Sequence, residues 1–425
     1  MAIRAFFWSA CAIALLTAAD CNAGTETLDS LIRAALENNR DLMAADNRYQ
    51  SMKYEAEAAG VLPDPKISLS AMNLPRKSLS LTGMDMSGIS VGVSQGIPWP
   101  SRLSSVSRIA KYKAEMESAN SNSVRNSIVR QVRHNYYEYS YWVFAINLLN
   151  ENIGLSENII DFVETRYANG QSSIEEVISA RVSKNEMENR RLHFESVKQS
   201  ALYRIRQLVH DSTISDQALS PFLTFKLGDF PAERPDYSGS PALKGASSRY
   251  QVARAKHSLA KSEYWPELMI GADYMIRKQD ASRMSAGPVS PGEDLLSFHL
   301  GFSIPLWFFA KQKKMTKATK FGIESAQAEQ QLVDIQLKQS IKEAQVDLRT
   351  LRERINQFVD AIIPLNEAAY EAAYVAYEVG QIDFKSLLAD QINLYNSKLD
   401  HIALVKNYHQ TRAYLDELIG REYGE

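Results

Sequence analysis

The residues that interrupt α-helices are distributed very unevenly along this chain of 425 residues. Its 14 prolines and 19 glycines leave residues 101–220 without a proline and residues 306–425 with Pro364 alone. Proline removes a helical hydrogen bond and glycine weakens a helix interior, so their scarcity favours long helices. Apolar residues in these tracts recur at spacings of three and four, which is the helical period. The sequence predicts long helices over 101–168 and 307–378, and returning helices over 172–211 and 383–420.

The first predicted long helix exceeds the usual length of helices in globular domains. At 1.5 Å per residue it would extend on the order of 100 Å, and such a rod needs neighbours along its length. The returning helix and a further helix predicted over 241–263 match that length when they are placed end to end. Residues 28–59 are expected to complete the equivalent stack in the second half. The predicted fold is mainly α, with long antiparallel helical hairpins and a small β part.

An internal repeat supports this plan. Ile153-Gly154-Leu155 recurs as Ile363-Pro364-Leu365, and Tyr-Ala-Asn-Gly-Gln at 167–171 recurs as Tyr-Glu-Val-Gly-Gln at 377–381, both 210 residues later. Self-similarity at a fixed offset indicates that one half of the chain duplicates the other. Each half is expected to hold a bent long helix, a tight turn and a returning helix. The predicted units are a first repeat over 24–220, a linker over 212–240 and a second repeat over 241–425.

Four short segments between the helices alternate between apolar and mostly small or polar residues. They cover about residues 65–74, 88–97, 267–277 and 295–305. Since successive side chains of a strand point to opposite faces, each segment has one apolar, uncharged face. This pattern is typical of a transmembrane barrel wall, with apolar residues toward lipid and polar residues, here including Asp273 and His299, toward the lumen. Four strands cannot close a barrel, so we expect the barrel to be shared among chains.

Aromatic residues cluster where the predicted strands meet the helices. Alternation alone also fits a half-buried sheet in a soluble α+β protein. Aromatic rings concentrate at the bilayer interface in membrane barrels, and their placement here favours the membrane wall. The predicted interface residues are Trp99, Trp265, Trp307, Phe308 and Phe309.

The N-terminal segment indicates export from the cytoplasm. Residues 1–23 contain Arg4, an apolar run and a small residue before Gly24, which is the pattern of a secretory signal peptide. Both cysteines, Cys11 and Cys21, lie in this segment, so the mature chain is expected to have no thiol for a disulfide or a metal site. Lipidation of Cys21 stays open, although Asp20 precedes it where lipidation sites have a small residue.

Composition and motifs argue against several classes of function. The chain has 48 Lys and Arg against 50 Asp and Glu, so it has no basic excess to neutralise nucleic-acid phosphates. It contains no His-Glu-x-x-His, Walker-type or Gly-x-Ser-x-Gly motif, and its seven histidines show no ligand spacing. We therefore expect neither an enzyme nor a cofactor, a bound metal or a nucleic-acid partner.

The sequence resembles the TolC family of outer membrane efflux proteins over essentially the whole mature chain. The resemblance rests on the duplicated helix-strand-strand-helix order and on residues 166–170 (Arg-Tyr-Ala-Asn-Gly), 377–380 (Tyr-Glu-Val-Gly) and 394–398 (Leu-Tyr-Asn-Ser-Lys). It implies a homotrimer with a twelve-stranded barrel, four strands from each chain, in the lipid of a Gram-negative outer membrane. It also implies a helical tunnel in the periplasm, which serves as a passive export duct of a tripartite efflux system with a periplasmic adaptor.

The same resemblance places the two Tyr-x-x-Gly turns at the periplasmic tip, where the adaptor docks and the tunnel closes. Well-known members close the tip with an arginine two residues after the second glycine, where this chain has Ile382, so different closing contacts are expected. Plain helix-end packing is the other interpretation of the two tyrosines. The implied tip residues are Tyr167, Gly170, Glu175, Glu176, Tyr377, Gly380, Gln381 and Asp383.

Three stretches narrow the resemblance to outer membrane components of heavy-metal pumps of the resistance-nodulation-division class. They are residues 62–65 (Leu-Pro-Asp-Pro), 73–75 (Asn-Leu-Pro) and 92–100, which end in Pro-Trp-Pro. An inner membrane pump of that class and a substrate of heavy-metal cations or small toxic compounds are implied. Met72, Met84 and Met86 are either soft ligands suited to Cu(I) or plain loop and strand methionines. The alternative functions are a duct for type I protein secretion and a soluble periplasmic coiled-coil scaffold or adaptor.

Overall fold

A computed structural model of the chain describes residues 27–77, 79–81, 86–216, 219, 221, 227, 235–277 and 293–421. The predicted signal peptide with both cysteines, Met84 and much of the predicted linker lie outside the described residues. The fold is mainly helical with one small antiparallel sheet, which confirms the predicted fold class. Its elements in chain order are α1 (Leu28–Asn38), α2 (Arg40–Ala58), β1 (Lys66–Met72), β2 (Gly88–Ile97), α3 (Pro100–Ala168), α4 (Ile174–Val209), α5 (Pro241–Ser262), β3 (Glu267–Ile276), β4 (Leu295–Ser303), α6 (Gln312–Gln357), a π-helical turn (Phe358–Ile362), α7 (Ile363–Glu378) and α8 (Phe384–Ile419).

The longest element is α3, with 69 residues. It begins with Pro100, whose fixed φ and missing N–H suit the first position of a helix. Helix α4 runs back along its distal half, where Glu164 pairs with Arg181 and Glu157 pairs with Lys184. Helix α5 then packs along the half of α3 nearer the sheet. Two short helices thus lie end to end beside one long helix.

The second half departs from the sequence prediction in how its long helix begins and continues. The predicted start at Trp307 is wrong, because residues 306–311 form tight turns and α6 begins only at Gln312. The π-helical turn follows α6, and there the N–H of Ile363 donates to the carbonyl of Phe358. Pro364 explains this turn, since its ring would clash with the carbonyl four residues earlier in a regular helix. Gly154, at the equivalent position of the first repeat, has no such ring, and α3 runs through it as one continuous helix.

The predicted single helix over 28–59 is also wrong. It is divided at Asn39, whose side-chain oxygen accepts hydrogen bonds from the backbone N–H groups of Asp41 (2.9 Å) and Leu42 (3.3 Å) and so caps α2. Its amide nitrogen donates to the carbonyl of Leu208 on α4, at 3.2 Å. The predicted second stack requires α1 and α2 to lie beside α6. In the structure they pack on α3 instead.

The four strands form one antiparallel sheet in the order β1-β2-β3-β4. The pairing of β2 with β3 joins the two repeats, and β1 and β4 are the edges of the sheet. The register places apolar residues opposite one another on one face, for example Leu69 opposite Val91 and Ala272 opposite Phe298. Among the described helices, none contains a stretch that is long and apolar enough to cross a membrane.

Candidate functional site

Two tight turns reverse the helical hairpins at the end farthest from the sheet. In each turn a glycine has positive φ, +70° at Gly170 and +75° at Gly380, a conformation that only glycine adopts at little cost. The next N–H closes the turn: Gln171 donates to the carbonyl of Arg166 and Gln381 to that of Ala376, both at 2.8 Å. The two turns therefore share one backbone geometry, 210 residues apart in sequence.

The helices that follow the turns are capped by side chains. Ser173 accepts from the N–H of Glu176 (3.3 Å), and Asp383 accepts from the N–H of Ser386 (2.8 Å). The hydrogen bonds from Ser386 hold the pKa of the Asp383 carboxyl below its usual value. Glu175, on the exposed side, pairs with Lys385 at 3.0 Å. The local role of Asp383 is thus a helix N-cap.

Tyr377 connects the two hairpins. Its hydroxyl donates to Oε2 of Glu176 on the other hairpin at 2.8 Å, and Ser172 donates to the same oxygen at 2.6 Å. Its side chain is only 2% exposed, and burial together with the Glu176 carboxylate raises the pKa of the hydroxyl to about 12. The hydroxyl therefore remains a proton donor at neutral pH. Tyr167, the equivalent residue of the first repeat, is 47% exposed.

Arg166 is a second connector, and it is not among the residues predicted from sequence. Its Nη1 donates to the carbonyl of Tyr377 at 2.7 Å and its Nη2 to the carbonyl of Gln171 at 3.3 Å. The guanidinium carbon lies 5.0 Å from the centre of the Tyr377 ring, within the range of a cation–π interaction. Ile382 lies in the second turn, and the arginine at the junction of the two turns is Arg166. The one sequence signal for Arg166 is that its repeat equivalent is Ala376.

An apolar cluster supports these contacts. Its buried members come from α3, α4, α7 and α8, and Ile382 packs against it from the second turn. The cluster consists of Ile159, Val163, Val177, Ala180, Ala373, Tyr377, Phe384 and Leu387. We call this cluster, together with Arg166, Ser172 and Glu176, the tip.

A set of buried polar side chains joins three helices on the sheet side of the tip. These residues were not predicted from the sequence. Gln391 of α8 is 2% exposed, and its amide nitrogen donates to Oδ1 of Asn152 and to Oγ of Ser156 on α3, both at 3.0 Å. Asn152 and Ser156 in turn donate to the sulfur of Met187 on α4, at 3.5 and 3.6 Å. Polar layers of this kind fix the register of packed helices.

The two faces of the sheet differ in character, as predicted. Large apolar side chains on one face point outward, and Phe298 is 80% exposed. The opposite face carries serine, glycine and the predicted luminal residues. Nδ1 of His299 and Oδ2 of Asp273 are 3.0 Å apart on this face.

The predicted interface aromatics lie where the sheet meets the helices. Trp99 and Trp265 are stacked with ring centres 4.9 Å apart, and the ring centres of Phe308 and Phe309 are 4.0 Å apart. Trp265 and Trp307 line one cavity with Lys311. Five aromatic residues from three parts of the chain therefore gather at one end of the sheet.

Within the described ranges, no three His, Cys, Asp or Glu side chains come together as a metal site. Of the methionines considered for Cu(I), Met72 ends β1, and the sulfur of Met86 accepts from Nη1 of Arg277 at 3.9 Å. Met84 lies outside the described residues.

Long helical hairpins whose two turns pack together at one end, and a sheet with an exposed apolar face at the other end, characterise an outer membrane channel subunit. The profile of the family described as outer membrane efflux protein matches residues 31–209 and 237–421, and the chain belongs to this family.

Individual relatives are distant. The cobalt-zinc-cadmium resistance protein CzcC of Cupriavidus metallidurans is 21% identical over 94% of this chain and 91% of CzcC. An uncharacterized protein of Haemophilus influenzae is 22% identical over 70% of this chain, and the match spans 66% of that relative's length. The crystal structure of VceC from Vibrio cholerae superposes with a TM-score of 0.77 at 16% identity, over 92% of this chain and 96% of VceC. At this identity the likeness shows the fold.

Proposed function

We propose that the chain is the outer membrane duct of a tripartite efflux system and that it conducts heavy-metal cations passively. The exposed apolar face of the sheet is the observation that carries this proposal. Ile67, Leu69, Phe298, Leu300 and Phe302 are large, uncharged and exposed on one face. Such a surface is unfavourable in water and suits the hydrocarbon region of a bilayer. It disfavours the soluble periplasmic scaffold.

Three chains would complete the duct. The edge strands β1 and β4 carry unpaired backbone groups, which the hydrocarbon region does not tolerate, so each edge requires a neighbouring chain. The helices also have unpartnered apolar surface. Ile174, Ile178 and Val182 are exposed along α4, and Leu365, Val375 and Val379 are exposed on and just after α7. In a ring of chains, α4 of one subunit would cover α7 of the next.

The tip would be the gate of the duct and the docking site of a periplasmic adaptor. Tyr377, Glu176 and Arg166 hold the two hairpins together in the closed arrangement. An adaptor opens the tip only if it binds the separated hairpins better than the packed ones, which is a population shift. Energy would come from an inner membrane pump of the resistance-nodulation-division class.

The similarity to CzcC supports heavy-metal cations as substrate. Type I protein secretion is the alternative with the same duct. Deletion of the gene distinguishes metal export from protein secretion, with growth measured on Zn²⁺, Co²⁺ and Cd²⁺ salts. We expect inhibition at lower metal concentrations and restoration by the wild-type gene. Unchanged metal tolerance with loss of a secreted polypeptide would favour the alternative.

Fractionation tests the location. The expected result is a protein in the outer membrane fraction that migrates in unheated electrophoresis near three times the mass of the heated chain. Release of a soluble monomer by osmotic shock would contradict the duct and favour the scaffold.

A further inference from the structure

The pair formed by Asp273 and His299 is the one carboxylate–imidazole contact of the sheet. Asp273 lies on β3 and His299 on the adjacent β4, with Oδ2 and Nδ1 3.0 Å apart. Lys66 and Glu267, the other charged residues of the strands, lie at strand ends, and Glu267 pairs with Arg102. The interior of the polar face therefore carries one acidic group, and this group is next to a histidine.

Two glycines accommodate the pair. Gly92 of β2 lies opposite Asp273, and Gly271 of β3 lies opposite His299. A Cβ at Gly92 would collide with Oδ1 of Asp273, and a Cβ at Gly271 would collide with Nε2 of His299. Both side chains thus rest against the backbone of the neighbouring strand, where any other residue would displace them.

The contact defines which nitrogen is available. A neutral imidazole that donates from Nδ1 to a carboxylate keeps the lone pair on Nε2. Histidine ligands of metals are held in this way, since the carboxylate fixes the tautomer and raises the basicity of the coordinating nitrogen. The His299 side chain as a whole is 43% exposed, so part of the ring is open to ions in front of the polar face. Imidazole suits borderline divalent cations such as Zn²⁺ and Co²⁺.

We propose that His299, oriented by Asp273, is a weak coordination site for divalent transition-metal cations on the inner wall of the barrel, one in each chain. This inference rests on the proposed duct, in which the polar face lines the lumen. One imidazole per chain gives weak binding, and conduction requires sites that are weak enough to release the ion. Three such positions would raise the local concentration of the exported cation without trapping it.

Equilibrium dialysis of the detergent-extracted trimer against ZnCl₂ tests the site. We expect His299→Gln to lose one Zn²⁺ per chain and Asp273→Asn to weaken the same binding about tenfold, the usual effect of removing the carboxylate behind a ligating histidine. His193→Gln, at an exposed histidine of α4, should bind as the wild type does. Equal Zn²⁺ binding by wild type and His299→Gln would overturn the proposal.

Glycine variants test the geometry with both proposed residues intact. Gly271→Ala should lose the site because the added methyl group displaces the imidazole. Gly301→Ala is the matched control on β4, where the nearest atom would be Cβ of Met269 at 3.7 Å. Unheated electrophoresis verifies that each variant is a trimer. Equal Zn²⁺ binding by Gly271→Ala and Gly301→Ala would contradict the proposed site.

The duct and the site can fail separately. If wild-type protein restores metal tolerance while His299→Gln binds Zn²⁺ normally, the duct stands and the site is refuted. If Zn²⁺ binding depends on His299 but the gene has no effect on metal tolerance, the coordination stands and the proposed substrate is refuted.

Discussion

Tyr377 and Tyr167 occupy equivalent positions of the two repeats, and only Tyr377 reaches across to the other hairpin. Tyr377→Phe removes the hydrogen bond to Glu176 and leaves the ring in the apolar cluster. A hydrogen bond to a charged group contributes about 1.5 kcal/mol, so we expect each chain of the variant to favour the open tip about tenfold more than wild type. The measurement is the conductance of the purified trimer in planar bilayers, which should rise.

Tyr167→Phe is the matched control for this experiment. The same atom is removed from a side chain that is half exposed, and we expect unchanged conductance. If Tyr377→Phe also conducts like wild type, the contact with Glu176 does not hold the tip closed.

A second residue-scale prediction concerns Gln391. Gln391→Glu places a carboxylate of nearly the same shape among Asn152, Ser156 and Met187. An uncompensated buried charge costs about 3 kcal/mol, so the thermal unfolding temperature of the trimer should fall. Burial raises the pKa of such a carboxyl. The loss of stability should therefore grow as pH rises above the ordinary pKa of glutamate. It should level off once pH exceeds the raised pKa of the buried carboxyl in the folded protein.

Gln336→Glu, at an exposed position on α6, provides the control, with little change expected at any pH. A pH-independent loss at Gln391→Glu would argue against a buried charge as its cause.

The tip could be predicted from sequence in part. The two glycines follow from the repeated turn, and Tyr377 and Glu176 from the resemblance. Arg166 and Gln391 could not be predicted, because their contacts with Tyr377 and Asn152 join residues more than 200 positions apart in sequence. Spacing along one helix shows which side chains share a face, but it does not show which residue of another helix they meet.

At the scale of elements, the spacing of apolar residues predicted the helices and strands. Hydrogen bonds from capping side chains determine where several of the helices begin. The division at Asn39 was missed because a capping asparagine inside a helical pattern looks like one more polar residue. The π-helical turn was missed because Pro364 was expected to bend its helix without changing the hydrogen bonding. The apolar face of the strands was predicted, because alternation is a direct consequence of strand geometry.

Two adjacent residues of β4 test the direction of that face. Phe298 is exposed on the apolar face, and Ser297 lies opposite Asp273 on the polar face. Phe298→Lys should reduce the outer membrane trimer strongly, since a lysine facing lipid costs about 2–4 kcal/mol near the bilayer centre in each chain. Ser297→Lys should be tolerated, because the other residues of this face are mostly polar or small and Asp273 lies opposite on β3. Unheated electrophoresis of outer membrane fractions measures both, and equal trimer yields would contradict a lipid-facing apolar surface.

For the whole molecule, duplication and helix lengths predicted two stacks of helices, but they did not predict which helices pack together. The lengths of the predicted helices allow residues 28–59 to lie beside either long helix. In the structure their side chains pack on α3. The number of chains followed only from the resemblance, because the residues themselves require no more than a shared barrel. The exposed apolar side chains on α4 and α7 are the surface that the proposed neighbouring chains would cover.

This surface provides a test of the assembly that does not involve the barrel. Ile178 on α4 is 55% exposed in one chain, and in a ring of chains it would be buried against the next α7. Burial of an isoleucine side chain contributes about 2 kcal/mol, so Ile178→Glu should lower the temperature at which the trimer dissociates in unheated electrophoresis followed by stepwise heating. Ile178→Leu keeps the apolar volume and should dissociate at the wild-type temperature. If the glutamate variant is as stable as wild type, α4 does not pack between chains and its apolar stripe is free to contact an adaptor.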